Sequence, residues 1–293
     1  MSRIKTCKIH LGGPFVAALL LNLSLLLFTA DRAQAESDDH VRGMILVADV
    51  KGSVDAIDTK DKSTRSLKVS DILFQDHKVE VGEDSMTVLA FGNGSVITLT
   101  ENTTLGITKF LKDPFSAPFA KAIDKNEPGT SVTSLELEKG EIVCSVKKLR
   151  IDQGSSLDVE TPVGTASVRG TVFALEYSTD DNGNTTCTLS VTEGSVTYTD
   201  SNGQTQTANA GQKITFNGTV KFENGTYTIT PSGPISKDPL SPAETNRINS
   251  LANGSNGKAN NEIVKFTNPN LGDSERNNTT RVVINPAVTS PNN

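Results

Sequence analysis

Between residues 40 and 230 apolar and polar residues alternate in short runs broken by Gly and Asn. Strand side chains point to opposite faces in turn, so such runs read as strands with one dry face. They fall at Met44–Val50, Ser53–Ile57, Lys78–Val81, Met86–Phe91, Val96–Thr100, Val132–Leu137, Glu141–Val146, Leu157–Glu160, Thr171–Tyr177, Thr186–Val191 and Val196–Thr199. Met86–Phe91 and Thr171–Tyr177 are apolar on both faces, which places them in the middle of the structure. No segment of this stretch sustains a 3.6-residue period, and the predicted fold class is all-β.

Seven Asn-Gly dipeptides punctuate the chain. Both residues tolerate positive φ, which suits tight hairpins. Asn93-Gly94, Asn182-Gly183, Asn202-Gly203, Asn217-Gly218 and Asn224-Gly225 lie between alternating runs and predict turns, whereas Asn253-Gly254 and Asn256-Gly257 lie in a polar tail. The clearest reading is a three-stranded meander over 213–230, with Ile214 and Phe216, Val220 and Phe222, and Tyr227 and Ile229 on its dry side.

Residues 110–130 break the rhythm with three Phe and three Pro. Two readings fit: an ordered loop whose rings cap one end of the core, or an exposed apolar lip for a partner. After Thr230, Pro231, Pro234, Pro239 and Pro242 close the strand zone. Ser241-Pro242-Ala243-Glu244 has the form of a helix start, with a capping Ser, Pro at the first helical position and Glu three residues on. A short helix over 241–251 is predicted, fading by Gly254. Residues 231–293 read as a Pro/Asn-rich tail, and from Asn249 to Asn293, where twelve of 45 residues are Asn, it reads as largely disordered. Its two apolar islands, Ile263–Phe266 and Val282–Ile284, could pair with a sheet edge.

The start of the chain changes the compartment. Arg3, Lys5 and Lys8 precede an uncharged run from Leu11 to Ala30, and Ala33-Gln34-Ala35 follows as a small-x-small cleavage site. Residues 1–35 read as a signal peptide cut after Ala35, which sends an all-β domain over 36–230 to the periplasm or beyond the cell without a membrane span. The whole chain of 293 residues carries 28 Lys+Arg against 34 Asp+Glu; losing Arg3, Lys5, Lys8, Arg32 and Asp31 leaves 24 against 33. So acidic a product is a poor nucleic-acid binder. With no Trp, and only His40, His77, Cys144 and Cys187 left, it also lacks the side chains for a Cys/His zinc site or a His relay, and no cofactor is expected.

Several motifs occur in one order along the strand zone: Leu67-Lys68-Val69-Ser70-Asp71-Ile72-Leu73, Ser85–Phe91 followed by Asn93-Gly94-Ser95-Val96-Ile97-Thr98-Leu99, Leu137-Glu138-Lys139-Gly140-Glu141-Ile142, Thr192–Val196 and Ala210-Gly211-Gln212. The sharpest is the stretch Glu160–Phe173, in which Thr161, Pro162, Gly164, Val168, Arg169, Gly170, Thr171 and Phe173 match a T-P-x-G…V-R-G-T-x-F pattern. Over about 65–216 the chain resembles the FecR domain, the extracytoplasmic module of bacterial ferric-siderophore regulators. Ser70 stands where that family usually has Gly, and Asn93 where it usually has Asp. The resemblance implies a β-solenoid-like or twisted double-layer body. Regulatory members also carry a cytoplasmic sigma-factor-binding region; only ten residues precede the apolar run here, so what carries over is the exported module alone.

Arg169 is the conspicuous charge of that motif. Its guanidinium could satisfy turn carbonyls, pair with Glu160 or Glu193, or bind a ligand. Gly164 and Gly170 suit a sharp turn or close backbone approach. Cys144 and Cys187 both fall on inward faces, which leaves open a disulfide or two thiols that never meet. Asp180-Asp181-Asn182-Gly183-Asn184 is a hairpin tip, lacking the length and closing Glu of an EF-hand. With no reactive constellation, the leading function is a non-enzymatic exported module that engages another envelope protein, or its own kind. The alternatives are a β-rich carbohydrate-active enzyme, which needs Asp, Glu, Lys and Arg clustered on one groove, and a surface adhesive protein.

Overall fold

The computed structural model describes residues 40–114, 125–223 and 226–267. The leader and its cleavage site, Phe115 and Phe119, the Asn224-Gly225 turn and the island Val282–Ile284 lie outside these residues. The early strands are β1 (Val41–Arg42), β2 (Ile45–Lys51), β3 (Val54–Asp58), β4 (Thr64–Ser66), β5 (Ile72–Leu73), β6 (His77–Val81), β7 (Met86–Phe91), β8 (Val96–Leu99) and β9 (Thr104–Lys112). Next come β10 (Ser131–Ser145), β11 (Ser156–Thr161), β12 (Gly164–Val168), β13 (Val172–Thr179), β14 (Asn184–Glu193) and β15 (Ser195–Asp200). The last are β16 (Thr205–Asn209), β17 (Gln212–Glu223), β18 (Thr226–Pro231) and β19 (Ser236–Pro239), followed by helix α1 (Pro242–Thr267).

The strands form two open layers. Layer A runs β4-β3-β6-β9-β10-β11-β12-β15-β16, with β1 beside the far end of β9, and is antiparallel except for β10–β11. Layer B runs β5-β2-β7-β8-β10-β13-β14-β17, with β18 and β19 along the outer edge of β17. The chain winds between them by a repeated move: β6 and β9 pair in A while β7 and β8 pair in B, and β12, β15, β13 and β14 do the same. The alternation predicts the all-β fold, and of the two bodies the resemblance implies this is the double-layer one.

One strand belongs to both layers. Residues 131–139 of β10 pair with β9 in A, and 140–145 pair with β8 and β13 in B. The crossover sits at Gly140, at φ +88°, where a Cβ would lie 2.5 Å from Thr103 Cα. Only a residue without a side chain fits, so the two runs at 132–137 and 141–146 are one bent strand. Alternate residues of both layers fill the space between them, with Phe91, Phe110, Phe173, Phe216 and Tyr198 the largest fully buried side chains. Phe110 meets Phe91 edge-on, ring centroids 5.0 Å apart. It belongs to β9 and the core, so the irregular connection is shorter than 110–130.

A second apolar seam lies outside layer B. Leu46, Ala48, Val88, Ala90 and Val96 pack with Ala259 and Ile263 of α1, and Val143 and Ala174 with Ile248 and Ala252. This corrects the tail: the helix does not fade by Gly254, and Ile263 and Val264 are buried in it. Each interior Gly costs a helix about 1 kcal/mol relative to Ala. Gly254 and Gly257 face open space, and the opposite stripe, buried on the sheet, holds the helix together. Polar ties reinforce it: Arg247 to Glu141 through both guanidinium nitrogens (2.6 and 2.9 Å), Lys258 to Asp49 (2.5 Å), buried Thr98 to Ser255 (2.6 Å), and Ser70 to Glu262.

Three of the predicted Asn-Gly turns stand as hairpin tips, with Gly94, Gly183 and Gly203 at positive φ. Asn217-Gly218 does not. It is interior to β17, flanked by β14 and β18, and Asn217 accepts a hydrogen bond from Thr186. Two strand partners outweigh the local preference, and the expected break at 217–218 is an unbroken strand. The prolines do not end the strands either, since β19 adds an edge segment beyond Pro234.

Candidate functional site

The T-P-x-G stretch is the turn joining β11 to β12. Thr161 Oγ1 donates to the Gly164 carbonyl at 2.9 Å, Pro162 and Val163 form the tip, and Val163 is fully buried. Tyr198 packs so closely on Gly164 that a Cβ there would come within 2.6 Å of its hydroxyl oxygen. Val168 is buried opposite Leu157 and Val196, and Phe173 lies in the core. Between them the chain leaves layer A for layer B. Gly170, at φ +115°, presses on the next segment, where its Cβ would stand 2.7 Å from Lys148 Cα. Val146 N donates to the carbonyl of buried Thr171 at 2.9 Å.

Arg169 is exposed and pairs with neither Glu160 nor Glu193. Among the described residues its guanidinium has no hydrogen bond or ion pair, which corrects the structural role expected of it. The reason is strand alternation: buried Val168 points inward, so residue 169 points out. It stands over a groove of about 310 Å³ lined by Lys148, Leu149, Arg150, Ile151, Asp152, Gln153 and Arg169. Sequence reasoning passed over Lys148 and Arg150, whose signal was the run Lys147-Lys148-Leu149-Arg150.

A buried carboxylate holds the groove wall. Glu127 accepts hydrogen bonds from Arg150 N (2.5 Å), Ser131 Oγ (2.8 Å) and Ser155 Oγ. Lys148 N donates to the Lys125 carbonyl (2.9 Å), and Glu127 N to the Lys148 carbonyl (3.3 Å). Asn93 joins this network, donating from Nδ2 to Ser131 Oγ at 3.0 Å and accepting from Ser95 N at 3.0 Å. A carboxylate at 93 would have no proton to give Ser131 and would stand near Glu127, which gives the departure from the usual Asp a physical reason.

The second concavity is an open trench of about 690 Å³ on the outer face of layer A, lined by Glu80, Thr104, Glu136, Glu138, Lys139, Glu160, Thr161 and Pro162. Glu136 and Glu160 are direct cross-strand partners, with Glu138 two residues further along the same face. Like charges so placed repel. Desolvation first, and then Glu138 and Glu160, hold the Glu136 carboxyl above its ordinary range, against the pull of Lys78, which is ion-paired to Glu138. Carboxylates therefore do converge on one groove, the feature a carbohydrate-active enzyme requires.

The remaining candidates are structural. Cys144 and Cys187 are free and buried. They lie on β10 and β14, on either side of β13, opposite Phe173 and Tyr177. Two strand spacings of about 4.8 Å and an offset of four residues put them beyond the roughly 7 Å Cα separation that a disulfide spans. Burial raises both thiols, Cys187 to about 11, so neither is a thiolate at neutral pH. Asp180 caps its own hairpin, accepting from Asn182 N (2.9 Å) and Asn184 N (2.8 Å). Among the described residues no three His, Cys, Asp or Glu side chains gather as a metal site, and no helix is long and apolar enough to cross a membrane.

Residues 77–197 match the family described as FecR protein. Two crystal structures from Parabacteroides distasonis ATCC 8503, at 1.65 and 2.50 Å resolution and each assigned as an anti-sigma factor, are similar to this chain at 18% identity. Their TM-scores are 0.41 and 0.40; each match covers 60% of this chain, which spans 65% and 64% of theirs. No curated protein matches the chain.

Proposed function

We propose that this chain, whose residues 77–197 match the FecR family, is an exported, non-enzymatic binding module of the bacterial cell envelope with a FecR-like signalling role. The observation that carries the reading is the family match together with what the family-like motif does here: its Thr, Pro and Gly residues build a turn and a crossing, and its Arg169 faces solvent without a partner among the described residues. A charge held outward on a braced scaffold is suited to a partner. The partner is another envelope protein or a second copy of this chain. Chemical cross-linking of the tagged chain in intact envelopes, followed by mass spectrometry, should recover one reproducible adduct. A chain that stays monomeric and captures nothing overturns the reading.

The acidic trench favours a second reading, a glycan-active enzyme with Glu136 as the proton donor among Glu80, Glu138 and Glu160. Incubation with a panel of surface polysaccharides decides it. Release of reducing ends that Glu136→Gln abolishes would displace the binding module, and no release would remove the enzyme.

A further inference from the structure

The groove beneath Arg169 gathers three cations, Lys148, Arg150 and Arg169, against one carboxylate, Asp152. In a chain whose formal net charge is −6, that is a local reversal of sign. Like charges brought together repel, and a concave wall focuses their field on any anion that enters. The side chains of Lys148 and Arg169 have no hydrogen bond or ion pair with any described residue. Arg150 is turned partly to the groove wall, donating to the Pro128 carbonyl (3.3 Å) and to Gln153 Oε1 (3.4 Å).

The main chain that carries the cations is set in place before any ligand arrives. Gly170 packs on the Lys148 main chain, so the crossing that carries Arg169 is fastened to the segment that carries Lys148. Buried Glu127 fixes the Arg150 main chain from below. A fixed main chain spares the cost of ordering the loop on binding, which leaves only the side chains to order, and a guanidinium fork matches a carboxylate through two parallel hydrogen bonds.

We propose that this groove is a docking site for a carboxylate-rich segment of a partner protein, with Arg169 as its principal anchor and Lys148 and Arg150 beside it. Three cations against one acid leave an excess that two carboxylates neutralise, and half-buried Ile151 offers a wall to the aliphatic part of a Glu side chain. Asp152 disfavours a compact dianion such as phosphate more than carboxylates spread along a peptide. This names the chemistry of the partner and so rests on the binding-module reading.

Hexaglutamate titrated into the purified full chain at low ionic strength, followed calorimetrically, should bind saturably and weaken as salt is raised. Arg169→Gln and Lys148→Gln should each weaken it about tenfold, the worth of a charge-assisted contact. Lys51→Gln, an exposed lysine at the end of β2, should leave it unchanged. Arg169 is exposed and has no polar partner among the described residues, so the parent's thermal midpoint should persist in the variant. Saturable binding of inorganic phosphate without hexaglutamate overturns the acidic peptide as occupant. Binding of neither, or hexaglutamate binding indifferent to Arg169→Gln, overturns the site. A cross-linked partner retained in full by Arg169→Gln overturns the site and leaves the binding-module reading standing.

Discussion

The outer faces of the two layers come from the same winding chain and have opposite fates. On layer A the outward positions carry Glu80, Glu136, Glu138, Asp158 and Glu160, and then ranks of hydroxyls. Thr165, Thr199 and Thr205 lie in one rank and Ser167, Thr197 and Thr207 in the next, with Thr197–Thr207 and Thr199–Thr205 hydroxyls 3.1 and 3.3 Å apart. On layer B the corresponding positions are Leu46, Val88, Ala90, Val96, Val143 and Ala174, and α1 covers them. A strand buried on one face alternates strictly, and a strand apolar on both faces requires a third layer. The helix is that third layer. Water therefore reaches charge and hydroxyl on one side of the sandwich and the polar back of α1 on the other.

The sharpest way to break this comparison is to make a similar truncation on each side. Ile248→Ala removes a buried side chain between α1 and layer B and should cost about 3 kcal/mol, from lost burial and the cavity left behind. Thr207→Ala, on the bare face, should stay within about 0.5 kcal/mol. Urea unfolding of both variants gives the two numbers. Equal losses would mean that α1 is no more part of the folded core than the hydroxyl ranks are.

A finer test lies at the start of α1. Ser241 Oγ donates to Glu244 Oε2 (2.7 Å) and accepts from Glu244 N (3.2 Å), while Ser241 N donates to the same carboxylate (2.9 Å). Lys213 on β17 adds an ion pair at 2.9 Å. Ser241→Ala should cost about 1 kcal/mol, the usual worth of an N-cap. The Ser241 hydroxyl and main-chain N–H, and then Lys213, hold the Glu244 carboxyl down to about 2, from an ordinary 4.5. A depressed carboxylate stabilises the fold fully above its unfolded value and ceases to do so as pH falls through its folded one. Part of the effect is screened by water, since the side chain is 36% exposed. The stability gap between the parent and Glu244→Gln should hold at neutral pH and narrow between about pH 4.5 and 2; a constant gap would mean the carboxylate's charge is irrelevant to the cap.

The Ser241–Glu244 cap was legible in four letters of sequence, because its own hydrogen bonds are local, whereas its ion pair to Lys213 was not. So were most strands: Met86–Phe91 is β7 residue for residue, and its two-sided apolar character correctly placed it between neighbours. Interactions at a distance were not legible. The end of α1 is set by Ala259 and Ile263 meeting Ala90 and Val96, and neither Gly254 nor Gly257 can announce that the far face is buried. Asn217-Gly218 looks like a turn until β14 and β18 are seen on either side of it. The site shows the same division. Arg169 stood out in the motif, yet its freedom depends on which way the crossing turns, and its companions Lys148 and Arg150 come from a loop that buried Glu127 ties in place. Glu136 and Glu138 share a strand face, yet nothing in the sequence nominated them, because their meeting with Glu160 needed the parallel register of β10 and β11.

The smallest effect probes what that register costs. Glu136 and Glu160 face each other across neighbouring strands, and most of the counter-charge, Lys78, is committed to Glu138. Glu136→Gln keeps the shape and removes one of the repelling charges, so it should stabilise the protein at neutral pH, by about 0.5 kcal/mol, the scale of a cross-strand pair. The sign follows from the direction of the shift. A carboxyl raised in the folded state destabilises it once both states are ionised, and contributes nothing below its unfolded range, where both are protonated. The advantage of Glu136→Gln should therefore shrink as the pH falls from the raised folded value toward the ordinary carboxylate range and be gone below it, opposite in sign to the response of Glu244→Gln. If Glu136→Gln proves destabilising at pH 7, the trench carboxylates support one another through a shared proton, and the bare face of layer A is a built site instead of a solvated one.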